Sequence, residues 1–155
     1  MTDAGMKALA SNLERLRKIN VSGIQTISDA SLSALLSNCA DLSEVEIRNC
    51  EMISNNGIAA VAQRPSLVSL SICARPLPVF TDARALQRLH IYNSFLSDND
   101  LLSIANSSLP LREFCIPFCK GFSLRGLAPL LQAHPSLTHL NLESCRSSRT
   151  NQWLP

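Results

Sequence analysis

The stretch "LTHLNLESC", from Leu137 to Cys145, has leucine at its first, fourth and sixth positions and cysteine at its ninth. The same nine-residue frame occurs as "LSEVEIRNC", from Leu42 to Cys50, and more loosely as "LREFCIPFC". In every copy of the frame the fourth and sixth positions are apolar, which indicates a fold built by internal repetition. The six frames begin at Leu16, Leu42, Leu67, Leu86, Leu111 and Leu137.

A second pattern lies between the frames. A hydroxyl residue is followed by apolar residues four, seven and eight positions later, which is the stripe of an amphipathic helix. The hydroxyl stands where an N-cap accepts a hydrogen bond from a backbone N–H. Asp3, Asp29 and Asp98 each follow such a hydroxyl, in the first turn, where negative charge suits the helix dipole. The five predicted caps are Thr2, Ser28, Ser54, Ser97 and Ser123.

Each unit therefore predicts a short strand, a turn and a helix of about three turns, and such a unit of ~20–29 residues is a leucine-rich repeat. We expect an α/β leucine-rich-repeat solenoid, a horseshoe with a concave parallel sheet and convex helices. The unit that begins at Leu67 is short and contains Pro76 and Pro78, which forbid a regular helix. There we expect an extended or 3₁₀ segment and a local change in curvature.

The repeats predict one domain over residues 1–145, with about six repeats of which the first and last are incomplete. Residues 146–155, which contain Trp153, are expected to form an irregular C-terminal tail. Solenoids need polar capping units at their ends. Neither end shows one, so we expect a partial product that associates through the open strand at Leu137–Leu142 or is marginally stable alone.

Composition narrows the class of partner. The chain has 155 residues, of which 46% are apolar, and a net charge of +2. That composition is globular, and the charge is too weak to favour nucleic acid or a membrane surface as partner. No apolar stretch approaches the roughly 18 residues of a membrane span, and the N-terminus lacks a signal-peptide layout. We expect a cytoplasmic or nuclear location.

The six cysteines do not predict disulfides or a metal site. Cys50, Cys119 and Cys145 share the ninth frame position in separate repeats, and equivalent positions in non-adjacent repeats, such as 50 and 119, are too far apart to bridge. We interpret them as small apolar plugs whose S–H groups donate to loop carbonyls. Cys73 and Cys115 fall at outward strand positions and are the candidates for exposed thiols.

No catalytic motif accompanies the three histidines. His90, His134 and His139 have no serine, cysteine or carboxylate at a motif spacing, and no glycine-rich phosphate loop is present. His134 falls on the helix-end position that Cys39 fills in another unit, so a core or helix-end role is expected for it. We expect no enzyme activity, no cofactor and no metal.

The units resemble a known family. The stretches "LSEVEIRNCEMISNNGIAAVAQ" and "INVSGIQTISDASLSALLSNCADL" resemble the cysteine-containing class of leucine-rich repeats. Asp29 and Cys39 match its helix-start acid and helix-end cysteine, and Gly5, Gly57 and Gly126 match its glycine. Over about residues 1–145 the chain looks most like the repeat region of F-box/LRR proteins.

The resemblance implies a function in ubiquitin-dependent protein degradation. Proteins of that family are substrate receptors of SCF-type ubiquitin ligases, in which the F-box holds the adaptor and the repeats hold the protein to be ubiquitinated. Contact with the ligase adaptor would require an F-box that does not precede the repeats in this sequence. The alternative is a stand-alone repeat scaffold or inhibitor that acts without a ligase.

The third, fifth and seventh frame positions are expected to carry the binding surface, because strand side chains alternate and these point away from the core. Arginine and tyrosine are enriched at interface hot spots, so Arg48, Arg88 and Tyr92, with His90, are predicted to anchor a protein partner. Alternatively, they are ordinary solvated strand residues. Phe118 is either a turn-packing residue or an anchor at the rim. The full predicted concave site is Glu44, Glu46, Arg48, Arg88, His90, Tyr92, Glu113, His139 and Glu143.

Overall fold

The nine-residue frames become the strands of one parallel sheet. A computed structural model describes residues 1–73 and 76–146 of the chain. Over these residues helices and strands follow one another as the repeats predict, except between the third and fourth strands. The elements are α1 (Asp3–Asn12), β1 (Lys18–Asn20), α2 (Asp29–Asn38), β2 (Glu44–Ile47), α3 (Asn55–Ala62), β3 (Ser69–Ile72), β4 (Arg88–Ile91), α4 (Asp98–Ala105), β5 (Glu113–Cys115), α5 (Leu124–Ala133) and β6 (His139–Asn141).

The sheet keeps the order of the sequence and a constant register. Its strands are arranged β1-β2-β3-β4-β5-β6, and each pairs in parallel with the next. Equivalent frame positions lie side by side at every step, at the strand spacing of about 4.8 Å. The α/β class and the parallel sheet are therefore confirmed. The third frame positions form one row: Lys18, Glu44, Ser69, Arg88, Glu113 and His139.

The fourth and sixth frame positions line the core, as predicted. Leu89 and Phe114 are fully buried and pack in one cluster with helix residues such as Leu32 and Leu130. In the last strand Leu140 remains 38% exposed, because β6 has a neighbour on one side only within the described sheet. The core is therefore continuous along the units and opens at this edge.

All five predicted N-caps are confirmed. Each hydroxyl oxygen accepts a hydrogen bond from a backbone N–H in the first turn of its helix. The Ser54 hydroxyl, for example, accepts from the N–H groups of Asn56 and Gly57. Capping of this kind contributes about 0.5–2 kcal/mol per helix.

The first-turn aspartates join one unit to the next, which the dipole interpretation did not predict. Asp29 accepts from the backbone N–H of Ser54 at 2.8 Å and from its hydroxyl at 2.5 Å. Asp98 makes the same pair with Ser123, at 2.6 and 2.7 Å. Burial alone would raise the pKa of the Asp98 carboxyl, but these hydrogen bonds outweigh it and lower the pKa. Each aspartate thus orients the next helix cap.

Glycine at the third helix position leaves room for this aspartate. A Cβ on Gly126 would lie 2.8 Å from the Cα of Asp98, and a Cβ on Gly57 would lie 2.2 Å from Oδ1 of Asp29. In α2 the same position holds Ser31, whose hydroxyl instead donates to Asp3. The glycines that match the family pattern at positions 57 and 126 are therefore explained by a close approach between units.

Residues 76–86 form no helix, as the prolines predict. The segment is extended and turn-like, and Phe80, Ala83 and Leu86 fill the core in place of a helix. Asn55 stands where α1, α2 and α4 place the linking aspartate. Ser97 is oriented instead by Asp100 of its own helix, whose carboxylate accepts from the Ser97 N–H at 2.7 Å. Ser97 and Asp100 thus form a capping box within α4.

The described residues test two further expectations only in part. Over residues 1–73 and 76–146, no helix has the length and apolarity to cross a membrane. Residues 147–155, with Trp153, lie outside the described part, so the irregular tail stays a prediction.

Replacing Gly126 should test the close approach. Gly126→Ala is expected to lower the free energy of unfolding by about 1–3 kcal/mol, because backbone must shift to admit the Cβ. Gly5→Ala is the matched control, since its Cβ would lie 3.8 Å from Thr2 Oγ1, an ordinary contact. It should raise stability by about 0.5–1 kcal/mol through helix propensity. Urea unfolding measures both, and equal effects would contradict the packing assigned to Gly126.

Asp3 should make stability depend on acid. Hydrogen bonds from Ser31 and then from Ser28 lower its pKa to about 2, so the folded state favours the carboxylate. Its contribution is fully present above the unfolded pKa of about 3.9 and is lost as pH falls toward the folded value. In urea titrations, wild type should be more stable than Asp3→Asn near neutral pH, and the difference should shrink between about pH 4 and pH 2. A difference between wild type and Asp3→Asn that stays constant over this range would contradict the hydrogen bonds assigned to Asp3.

Candidate functional site: the polar face of the sheet

The third, fifth and seventh frame positions form the face of the sheet opposite the core, which we call the polar face. The structure brings most of the predicted site together on β2, β4 and β5 and in the turns that follow them. His139 and Glu143 are exposed on β6 and in the turn after it. The residues that cluster are Glu44, Glu46, Arg48, Arg88, His90, Tyr92 and Glu113.

The outward positions on and just after β3 hold small side chains, and we call this row the trough. Ser69, Ser71 and Cys73 occupy the three outward positions, between the longer side chains of the flanking strands. Arg88 reaches across the trough to Glu44 with an N–O distance of 2.8 Å. At the other end, the guanidinium of Arg48 lies 4.6 Å from the centre of the Tyr92 ring. The two arginines thus bridge the trough in opposite directions.

Glu44 and Glu46 of β2 also form ion pairs with Lys18, a residue that the predicted site did not include. Lys18 Nζ lies 3.6 Å from Glu44 and 3.2 Å from Glu46, and Arg48 lies 3.5 Å from Glu46. Lys18 shares the third frame position with Glu44 and Arg88, and that shared position was the available signal. Half-exposed pairs of this kind contribute about 0–1 kcal/mol each. The network therefore fixes side-chain orientations more than it stabilises the fold.

His90, Glu113 and Cys115 meet on β4 and β5. His90 Nε2 lies 3.0 Å from Glu113 Oε1 but is not aligned with it as a hydrogen bond. The Cys115 thiol donates to the same carboxylate at 3.7 Å. Burial and, after it, the neighbouring Glu113 charge raise the pKa of the Cys115 thiol to about 11, so the thiol is protonated near neutral pH.

Three outward positions, Ser71, Cys115 and Pro117, are less exposed than predicted. Cys115, expected to be an exposed thiol, is only 5% exposed because its side chain lies between neighbouring strands and beside Glu113. Pro117, at a seventh frame position, is also buried. Cys73 is half-buried, and burial is the main cause that raises its thiol pKa.

The ninth-position cysteines act as predicted. The thiols of Cys50, Cys119 and Cys145 donate to the carbonyls of Val21, Ile91 and Ile116, at 3.0, 3.3 and 2.9 Å. Each acceptor is the sixth frame residue of the preceding unit. All six cysteines lie in the described part of the chain and are free thiols. His134 is buried at the end of α5, in agreement with its predicted helix-end role.

In the turns after β1, β2, β4, β5 and β6, the backbone is left-handed at the eighth frame position. Gly23, Asn49, Asn93 and Ser144 have φ values between 45° and 77°, and these types tolerate that region. Phe118 has φ 58° as well, although a bulky side chain is strained there, and its side chain is 55% exposed. Of the two interpretations, the structure favours a rim residue over a turn-packing one.

A depression of about 420 Å³ lies beside these turns, at the carboxyl ends of the strands. Arg48, Tyr92 and Phe118 contribute to its walls. Two buried side-chain atoms in its lining, Ser22 Oγ and Arg48 Nε, have no hydrogen-bond partner. Buried polar atoms are normally satisfied. The wall of the depression therefore contains two buried polar atoms that the protein leaves unsatisfied.

Comparison with known proteins adds no identity: no protein-family model matches the chain, and no curated protein is significantly similar to it. The fold and the polar face define an α/β protein with a parallel, in-register sheet whose polar face carries a charged and aromatic cluster. The F-box/LRR resemblance therefore rests on the residues of the repeats themselves.

Relief of backbone strain at Phe118 should be measurable. Phe118→Asn is expected to raise the free energy of unfolding by about 0.5–1 kcal/mol, because asparagine tolerates the left-handed region better than phenylalanine. Phe95→Asn is the control, since Phe95 is similarly exposed at 53% but is not among the residues with positive φ. Chemical denaturation compares them, and stabilisation by Phe95→Asn alone would contradict the strain.

Proposed function

We propose that the chain is a leucine-rich-repeat solenoid of the cysteine-containing class and that it binds a protein on the polar face, which is then concave. Three regularities support the solenoid: constant register, repeated caps and thiols that bond from unit to unit. Units that contact only their neighbours are typical of such folds. Because helices are wider than strands, helices on the core side would curve the sheet around its polar face.

The observation that carries the binding proposal is the group formed by Arg48, Tyr92 and Phe118 around one depression. Arginine and aromatic side chains are enriched at the hot spots of protein interfaces. Phe118 is exposed and strained, so its contribution to folding is unfavourable. Strain of this kind is typical of functional sites rather than of residues that only complete a fold.

The partner proposed is a protein destined for ubiquitination. By resemblance to the F-box/LRR family, the chain corresponds to the substrate-binding repeats of an SCF-type ligase, and the ligase adaptor is held through an F-box outside these repeats. The role is that of a receptor without catalysis of its own, in the cytoplasm or nucleus, without nucleic acid or a membrane as partner.

Substitution of the cluster should abolish partner capture. The variant Arg48→Ala/Arg88→Ala/Tyr92→Ala is expected to weaken binding of a captured protein by about tenfold or more, since truncating a hot-spot residue costs at least ~2 kcal/mol. Thermal stability should change little, because the arginine pairs are half-exposed. The control Lys7→Ala/Arg125→Ala also removes two positive charges, but from exposed helix positions.

The measurement is quantitative affinity capture followed by binding curves for the proteins that wild type and the control retain. Capture by the triple variant at wild-type strength would contradict the polar face as the binding surface. Sequencing the transcript upstream of the Met1 codon separates the receptor from the stand-alone scaffold. An F-box in frame supports the receptor, and an in-frame stop favours the scaffold or inhibitor.

A further inference from the structure

We propose that His90, Glu113 and Cys115 form a zinc-binding site on the polar face. The side chains offer one nitrogen, one carboxylate oxygen and one sulfur, all within 4.8 Å of one another. His90 occupies the fifth frame position on β4, and Glu113 and Cys115 occupy the third and fifth frame positions on β5. Spacing along the chain does not predict this group, because its members lie on neighbouring strands.

The distances fit a tetrahedral ion after small rotations. Zinc bond lengths of about 2.0–2.3 Å separate ligand atoms by about 3.3–3.8 Å. His90 Nε2 and Glu113 Oε1 are 3.0 Å apart, and Cys115 Sγ and Glu113 Oε1 are 3.7 Å apart. The nitrogen–oxygen separation must lengthen by a few tenths of an ångström, and the nitrogen–sulfur separation is at most 4.8 Å. The strands that hold these residues are hydrogen-bonded neighbours in the sheet, so the backbone need not move.

The state of His90 is a second, independent indication. Its Nε2 atom is buried from water and has no hydrogen-bond partner, although the Glu113 carboxylate is near. An unsatisfied buried polar atom destabilises a protein, and an absent ion is one recognised explanation. A metal ion between the nitrogen and the carboxylate would satisfy both at once.

The donor set selects the class of metal. Imidazole nitrogen and thiolate sulfur suit zinc, whereas magnesium and calcium prefer oxygen ligands alone. On binding, the Cys115 S–H bond breaks, its proton leaves to solvent and a Zn–S bond forms. The thiolate and the Glu113 carboxylate then balance the two charges of the ion. Three protein ligands leave a fourth position for water or a donor from a bound molecule.

The experiment uses the full chain under a phosphine reductant, with zinc or cobalt(II) as the probe. Zinc is expected to bind at one ion per chain and to raise the melting temperature by about 5–10 °C at a hundredfold excess over Kd. Cobalt should give the sulfur-to-metal charge-transfer band and the visible bands of a tetrahedral ion. His90→Gln, Glu113→Gln and Cys115→Ser should each weaken binding at least about tenfold.

Cys73→Ser is the matched control, because it removes a half-buried outward thiol from the neighbouring strand end. It should leave affinity and spectrum unchanged. Wild type that binds no zinc, or binding that is equal in the three ligand variants and wild type, would overturn the site. If Cys115→Ser does not fold, the cobalt charge-transfer band of wild type and its loss in Cys115→Ala show whether the sulfur binds the metal. His90→Gln and Glu113→Gln then test the other two ligands. None of these readouts requires a protein partner, so failure here leaves the proposed function intact.

Discussion

Constant register between neighbouring parallel strands is the constraint on which the other contacts depend. Because Glu44 lies beside Ser69 and Ser69 beside Arg88, equivalent residues of successive units are held at one strand spacing. The same offset brings a ninth-position thiol to a sixth-position carbonyl and a first-turn aspartate to the next helix cap. A slip of one residue would turn the apolar positions away from the core and break both series of hydrogen bonds.

The polar face owes its character to small residues as much as to charged ones. With long side chains at Ser69 and Cys73, Arg88 could not reach Glu44 and Arg48 could not lie over Tyr92. These contacts are half-exposed, so they orient the arginines at little gain in stability. Pre-oriented side chains lose less conformational entropy when a second molecule binds. The orientation of Arg48 and Arg88 would therefore lower the entropic cost of binding in the proposed function.

Features that repeat along the chain could be predicted from sequence, and features that arise between units could not. The frame positions predicted the strands, the hydroxyl residues predicted the helix caps, and Pro76 and Pro78 excluded a helix. Each of these predictions depends only on residues that are close together in the sequence. The burial of Cys115 and the bonds from the Arg64 guanidinium to backbone carbonyls at the end of α2 depend on how neighbouring units pack. The left-handed Phe118 shows how tertiary context overrides residue preference.

The capping box at Ser97 has a consequence for cooperativity. Aspartate links run from α1 to α2 to α3 and again from α4 to α5, but between α3 and α4 the chain passes through an extended segment. There, continuity rests on the pairing of β3 with β4 and on core residues such as Phe80. In a linear array, stability is a sum of units and of the junctions between them. We therefore expect amide hydrogen exchange to be faster around the junction beside Ser97 than in the helices that aspartates link.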